Sequence, residues 1–187
     1  MATKVKISNL EENNDTLKFT ISNINVSYVN AIRRVLLSEI PCIVFKTEPH
    51  EENNVNIITN KTRLNNELIK QRISCIPIHI EEIENFPIDD YVVVLNKKND
   101  TNTIIYATSE DFEIKNIKLE KKLSKSETSK IFPPNSTTGD YIDIVRLLPN
   151  LNVDVDLEEI KLESKLTISN AKDNNMFNVV STASYGN

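Results

Sequence analysis

Glycine, cysteine and histidine are nearly missing from this chain of 187 residues, which has two of each. With only Gly139 and Gly186, it has no Gly-rich loop to cradle phosphate and no nucleophile elbow, since both need glycine where backbone turns tightly or approaches a ligand. Cys42 and Cys75 are too few for a disulfide framework and too far apart for paired Cys-x2-Cys metal ligation. Each lies in an apolar context and reads as a buried thiol. His50 falls in a polar Pro-His-Glu-Glu loop and His79 in an alternating apolar run, and neither has neighbours that would make it catalytic. No apolar run approaches the roughly 18 residues of a membrane span, and no apolar signal core follows Met1-Ala-Thr-Lys-Val-Lys. The reading is a chain that stays inside the cell, away from membranes, with no cofactor and no metal.

Positive charge is also short. A formal net charge of −5 argues against a surface that grips a phosphate backbone, so any work on DNA is expected to pass through partners. The lysine-rich stretch from Lys115 to Lys130 is interrupted by Glu120 and Glu127 and has no interleaved aromatics, and it reads as a solvated loop. Carboxylates are plentiful but sit in acid runs or on exposed strand faces. Pairs such as Asn13-Asn14 and Asn174-Asn175, with much Ile and Lys, read as the bias of an AT-rich genome.

What is present is a globular composition, 39% hydrophobic and 26% charged, on a chain long enough to bury roughly 70% of its unfolded surface. Val5–Leu10 and Thr16–Ile24 read as strands joined by a turn over 11–15. Leu17, Phe19 and Ile21 alternate with polar residues as in a half-buried strand. Val29, Ile32, Leu36 and Ile40, widened by Val35, form one face of a helix that Ser27 caps and Pro41 ends. Inside that helix stand Arg33 and Arg34, whose guanidinium donors need partners. A second helix begins at the cap Asn65, with Leu64 and Ile69 placed as a hydrophobic staple. It continues through Leu68, Arg72, Ile73 and Ile76 to Pro77. Strands are expected at 42–47, 53–60, 91–95 and 103–107, the last two flanking the polar turn 96–102. Val153, Val155 and Leu157 alternate with acids as a further strand. Shifts in composition near 85 and 140 suggest an inserted β subdomain.

Three blocks carry a resemblance. Asn30-Ala-Ile-Arg-Arg-Val-Leu-Leu-Ser-Glu-Ile-Pro41 resembles the first assembly helix of the alpha-like subunits of multisubunit RNA polymerases. That family includes the bacterial alpha N-terminal domain, its archaeal counterpart and the third-largest subunit of eukaryotic RNA polymerase II. The segment from Asn60 to Ile78 is similar to the family's Asn-x-Thr turn, helix and Arg-Leu-Gly-Leu-Ile-Pro run, with Glu67, Arg72, Ile76 and Pro77 in register and Ser74 in place of its glycine. A third, weaker block covers Tyr141 to Tyr185, where Pro149, Val153, Ala171, Lys172 and Tyr185 fit but the glycines are missing; Asn150 stands at one such place, and Asn tolerates left-handed backbone.

The resemblance implies an α+β assembly domain made from residues 1–84 and 141–187, interrupted by a mostly β insert over 85–140. It implies a subunit without catalysis of its own that pairs with a smaller alpha-like subunit and carries the second-largest (beta-like) and largest (beta-prime-like) subunits, touching DNA only through the complex. Its interface residues would be Val29, Ile32, Arg33, Arg34, Leu36, Leu37, Glu67 and Arg72, with Arg34 on the beta-like subunit. Some members hold zinc or an iron–sulfur cluster in the insert, whereas 85–140 contains no cysteine. Members continue past the third block into a long helix; a chain stopping at Asn187 is expected to be truncated or fused, packed by its partner, or reduced in dimerisation. A large DNA virus, in which two such subunits are fused, would fit this and the composition. Cytoplasm or virion would then be the location, and the nucleus for a cellular eukaryotic protein. The readings outside the family are a stand-alone α+β adaptor and an enzyme whose site carries no familiar motif.

Overall fold

The computed structural model describes residues 4–13, 16–80, 82–149 and 156–186. Its α+β fold opens with a hairpin, β1 (Lys6–Asn13) and β2 (Thr16–Ser22), followed by helix α1 (Val26–Ser38). Then come β3 (Cys42–Val44), β4 (Val55–Asn60) and helix α2 (Asn66–Ser74). The middle of the chain gives β5 (Tyr91–Lys98), β6 (Ile105–Thr108), β7 (Phe112–Asn116), β8 (Lys121–Lys122) and helix α3 (Lys125–Ile131). β9 (Asp143–Leu147), β10 (Glu159–Lys165) and β11 (Thr167–Ser169) close the order.

Five strands make the main sheet in the order β4-β10-β5-β7-β8, while β1-β2, β11-β3 and β6-β9 form two-stranded ladders. Strand periodicity sends Val93 and Leu95 of β5, Ile114 of β7, and Ile160 and Leu162 of β10 to one face, and all five are fully buried. Against that face lie Ile69 and Ile73 of α2, Ile144 and Leu147 of β9, and an aromatic trio. The ring centroids of Phe45, Phe112 and Phe132 stand 4.9–6.0 Å apart, within the range where aromatic pairs attract.

This one core changes the domain reading. Residues 85–140 share a sheet with what flanks them, because β10 pairs with β4 on one side and β5 on the other. The line drawn from composition at 85 and 140 therefore divides one sheet and one core. Among the described residues, β1, β2 and α1 contribute nothing to this core, nor do the short strands β8 and β11.

Several local expectations need correcting. Asn25, and not Ser27, caps α1: its Oδ1 accepts the Ser27 N–H at 2.9 Å, as an Asx side chain does at a helix start. β5 continues to Lys98, so Asn96–Lys98 are strand paired with β10 where a turn over 96–102 was expected. The lysine-rich stretch is not a loop. Ser124 and Glu127 form a reciprocal capping box that starts α3. Cys75 is exposed and Cys42 half-buried. Leu68 is exposed, although Ile69 and Ile73 of α2 are buried as expected. Val153, Val155 and Asn150 lie outside the described residues.

Asparagine replaces glycine at tight backbone. Asn9 and Asn23 adopt positive φ, 53° and 64°, a region that Asn visits more readily than other L-residues. Asn9 sits at a register shift in the β1–β2 ladder between Ser8 and Glu11.

Candidate partner interface on the α1 face

Helix α1 has thirteen residues and none is buried. Tyr28, Ala31, Ile32 and Val35 follow the i, i+3, i+4, i+7 spacing of one helical stripe. With Leu36 they form one wall of an open groove of about 580 Å³, and Val5, Asn23, Ile24 and Asn25 form the other. Tyr28 is 67% exposed, Ile32 41% and Val35 45%. The neighbouring hairpin extends the patch. Leu17 and Phe19 alternate as expected, yet both are exposed, as are Ile7 and Leu10 on the paired strand. The largest apolar patch on a typical monomer is roughly 300–600 Å² and is often functional; here a whole helix and a hairpin are left uncovered.

The rim of this face carries the arginine pair. Half-buried Arg33 donates through Nε to Asn30 Oδ1 at 3.1 Å, one turn back. Arg34 is exposed, and no ion pair among the described residues includes either arginine. Val29 and Leu37 are half-buried and lie outside the groove wall.

α1 is tethered to the body through its C-terminal end. The Lys172 N–H donates to the Ser38 carbonyl at 3.1 Å, and Lys172 Nζ meets Glu39 Oε1 at 2.6 Å. Just beyond, β3 pairs with β11. The Cys42 thiol points at the carbonyls of Ser169 and Phe177, at 3.6 and 3.4 Å. Burial pushes the thiol's pKa up, which keeps the proton these weak hydrogen bonds need.

Glu67 and Arg72 are not part of this face. Both stand on α2, which packs against β4 and β9. Glu67 is exposed in the first turn, where the helix dipole favours a carboxylate. Arg72 is occupied within the chain: Nε donates to the Ile144 carbonyl at 2.7 Å and Nη2 to the Asp143 carbonyl at 2.8 Å. Two donors on consecutive carbonyls tie α2 to β9. The eight residues singled out from sequence thus fall into two groups, six on α1 and two on α2. Sequence reasoning missed Tyr28, Ile24 and the outward hairpin residues as a surface. The signal was the period-2 pattern of the hairpin, which marks an apolar face whether the same chain covers it or not.

The groove offers shape and apolar area but little chemistry. Tyr28 is its one titratable lining residue. Among the described residues no cluster of His, Cys, Asp and Glu could hold a metal ion, and no helix is long and apolar enough to cross a membrane. A helix and hairpin that leave their apolar sides uncovered define a pairing module, in which binding is the function the surface can perform.

Comparison with known proteins gives this module a family. The RNA polymerase Rpb3/Rpb11 dimerisation domain matches residues 18–186, and the chain belongs to that family. DNA-directed RNA polymerase subunit Rpo3 of Pyrococcus furiosus is 28% identical over 118 residues, which are 59% of this chain and 42% of that protein. Subunit 3B of RNA polymerases IV and V of Arabidopsis thaliana is 39% identical over 77 residues, 41% of this chain and 21% of that protein. RNA polymerase II subunit rpb3 of Dictyostelium discoideum is 34% identical over 77 residues, 41% and 23% of the two chains. The chain therefore spans less than half the length of these relatives.

Proposed function

We propose that this chain is a non-catalytic assembly subunit of a DNA-directed RNA polymerase, pairing through α1 and the β1–β2 hairpin with a smaller alpha-like subunit. The observation that carries this is a helix with no buried residue beside an open apolar groove, in a chain of the dimerisation-domain family. Ile32 and Leu36, with Val29 and Leu37 at the margins, pack on the partner. Arg33 and Arg34 supply donors for carboxylates or carbonyls of the second-largest subunit, with the largest subunit joining the same platform. Glu67 faces outward from α2 and is available to a large subunit. Arg72 acts one step removed, by holding α2 in place. DNA is met only through the complex, which fits the net charge of −5. Such a subunit works wherever its polymerase does: nucleus in a eukaryotic cell, cytoplasm or virion for a virus.

In place of a boundary at 85 and 140, the working division runs between the pairing elements, residues 4–38 with the β3–β11 ladder as their seat, and the body built on the five-stranded sheet. The test is co-expression of the tagged chain with the smaller alpha-like subunit of the same genome and then with the second-largest subunit. A 1:1 heterodimer that recruits the large subunit is expected. A chain that stays alone at micromolar concentration, with no polymerase subunit co-purifying, sinks the reading.

A further inference from the structure

The turn between β7 and β8 is the most unusual surface outside the α1 face. Leu119 is 73% exposed, more than any other large apolar residue among those described, and Ile117, two residues earlier, is 53% exposed. These side chains are held outward by a pinned backbone. The Ile117 N–H donates to the Asp90 carbonyl at 2.7 Å, and the Leu119 N–H to Oδ1 of buried Asn116 at 2.9 Å. Lys118 Nζ reaches Asp90 Oδ1 at 2.7 Å, and Glu120 closes the turn at φ 49°. Preorganised apolar tips of this kind lose little ordering entropy on binding.

The segment around the tip is basic in a chain that is acidic overall. Asp90 and Glu113 neutralise Lys118 and Lys122, leaving Lys115, Lys121 and Lys125 outside the ion pairs of the described residues. Residues 115–125 hold five lysines and one glutamate, against an overall net charge of −5. Lys115 and Lys122 stand directly opposite each other across the β7–β8 ladder, an arrangement that costs stability in a sheet and is only partly relieved by Glu113, 2.7 Å from Lys122. Lysines guard sheet edges against aggregation, but that role calls for no exposed leucine beside them.

We propose that Ile117 and Leu119 form a second docking knob, which fits a protein surface with an apolar socket rimmed by carboxylates. A nucleic acid would leave both apolar tips unused, and Glu120 would face its phosphates. The inference stands apart from the assembly reading, since the knob lies far from α1 in sequence and shares no residue with its groove.

The test places a photoreactive benzophenone side chain at position 119 of the full-length tagged chain, expressed with its polymerase subunits, and at exposed Glu110 as a control. Expected is a crosslink to one protein, mapped to a peptide in which Asp or Glu flanks apolar residues. Yield should fall roughly tenfold or more with Ile117→Ser, as for an anchoring contact, and again with Lys115→Gln plus Lys121→Gln or with raised salt. Circular dichroism of the variants should match the parent, because the altered side chains leave the buried core untouched. Yield no higher than at position 110, a nuclease-sensitive or lipid adduct, or a target peptide without carboxylates overturns the proposal. A mapped acidic peptide upholds the knob whether or not its protein is a polymerase subunit, and the assembly function stands or falls on its own co-expression test.

Discussion

Replacing Arg72 with methionine keeps the aliphatic stem on α2 and removes the guanidinium that bonds the carbonyls of Asp143 and Ile144. Hydrogen bonds from charged donors contribute about 1.5–3 kcal/mol each when well shielded. Arg72 is exposed as a whole, so water replaces part of what is lost, and the two bonds together should contribute about 1–3 kcal/mol. Urea unfolding of the purified chain reads this directly. With a slope of about 2–3 kcal/mol per molar, the midpoint should fall by roughly 0.3–1.5 M. Arg34→Met is the matched comparison, an exposed arginine with no ion pair among the described residues. It should move stability by no more than about 0.5 kcal/mol. The dissociation follows: Arg72→Met weakens the fold, and Arg34→Met weakens assembly. Equal midpoints for Arg72→Met and the parent, with assembly impaired, would refute the strut and put Arg72 at an interface after all.

Ile32→Asp should leave the lone chain's unfolding within about 0.5 kcal/mol of the parent, because Ile32 is 41% exposed. The same change should weaken the heterodimer by roughly a hundredfold in sedimentation equilibrium, and an unchanged dimer would remove Ile32 from the interface. Phe45→Ala opens a hole beside Phe112 and Phe132 and should cost about 3–5 kcal/mol, seen as a lost or strongly lowered thermal transition; a shift under about 1 kcal/mol would mean the trio is not the core's centre. The Glu127 carboxyl is held below its ordinary value, first by the Ser124 hydroxyl and then by the Ser124 N–H. Its folded pKa is the lower one, so its contribution to the first turn of α3 is complete above about pH 4.3 and is lost as pH falls through the folded value. A carbon-detected NMR titration of Glu127 with a midpoint at or above the ordinary glutamate value would contradict the capping box.

Where the determining physics is local, the residues announced it. Asn65 caps α2 through the Leu68 N–H, and Leu64 and Ile69 both join the core, as a cap and staple can be read from a few residues. The capping box of α3 was equally local and stood in the lysine-rich stretch as Ser124-x-x-Glu127, a spacing that outranks the charge run. Strand pairing was not legible in this way. That β5 turns away from β6 to join β7 and β10 depends on contacts across the whole chain, which no window contains. The hydrophobic stripe of α1 was visible, but periodicity reports only that a face is apolar. It cannot say whether the cover comes from the same chain, and for Leu17, Phe19 and Ile32 it does not. For Arg72 the motif placed the residue correctly in its helix, while its partners are backbone carbonyls whose identity leaves no trace in sequence.

The position of β10 has a consequence for how the protein is made. This strand lies between β4 and β5, yet a ribosome delivers it after both: Val55 must wait for Ser164, and Val93 waits for the same residue. Until then the nascent polypeptide holds two strands whose facing edges have no mate, and of the main sheet only the β5–β7–β8 ladder can zip up as it emerges. Pairings this distant are slow to form and leave strand edges open to neighbours. Early release of the growing chain would strand it in that state, so synthesis should depend on holdase chaperones until the last fifth of the sequence is out, and the mature sheet should form as one late, cooperative event.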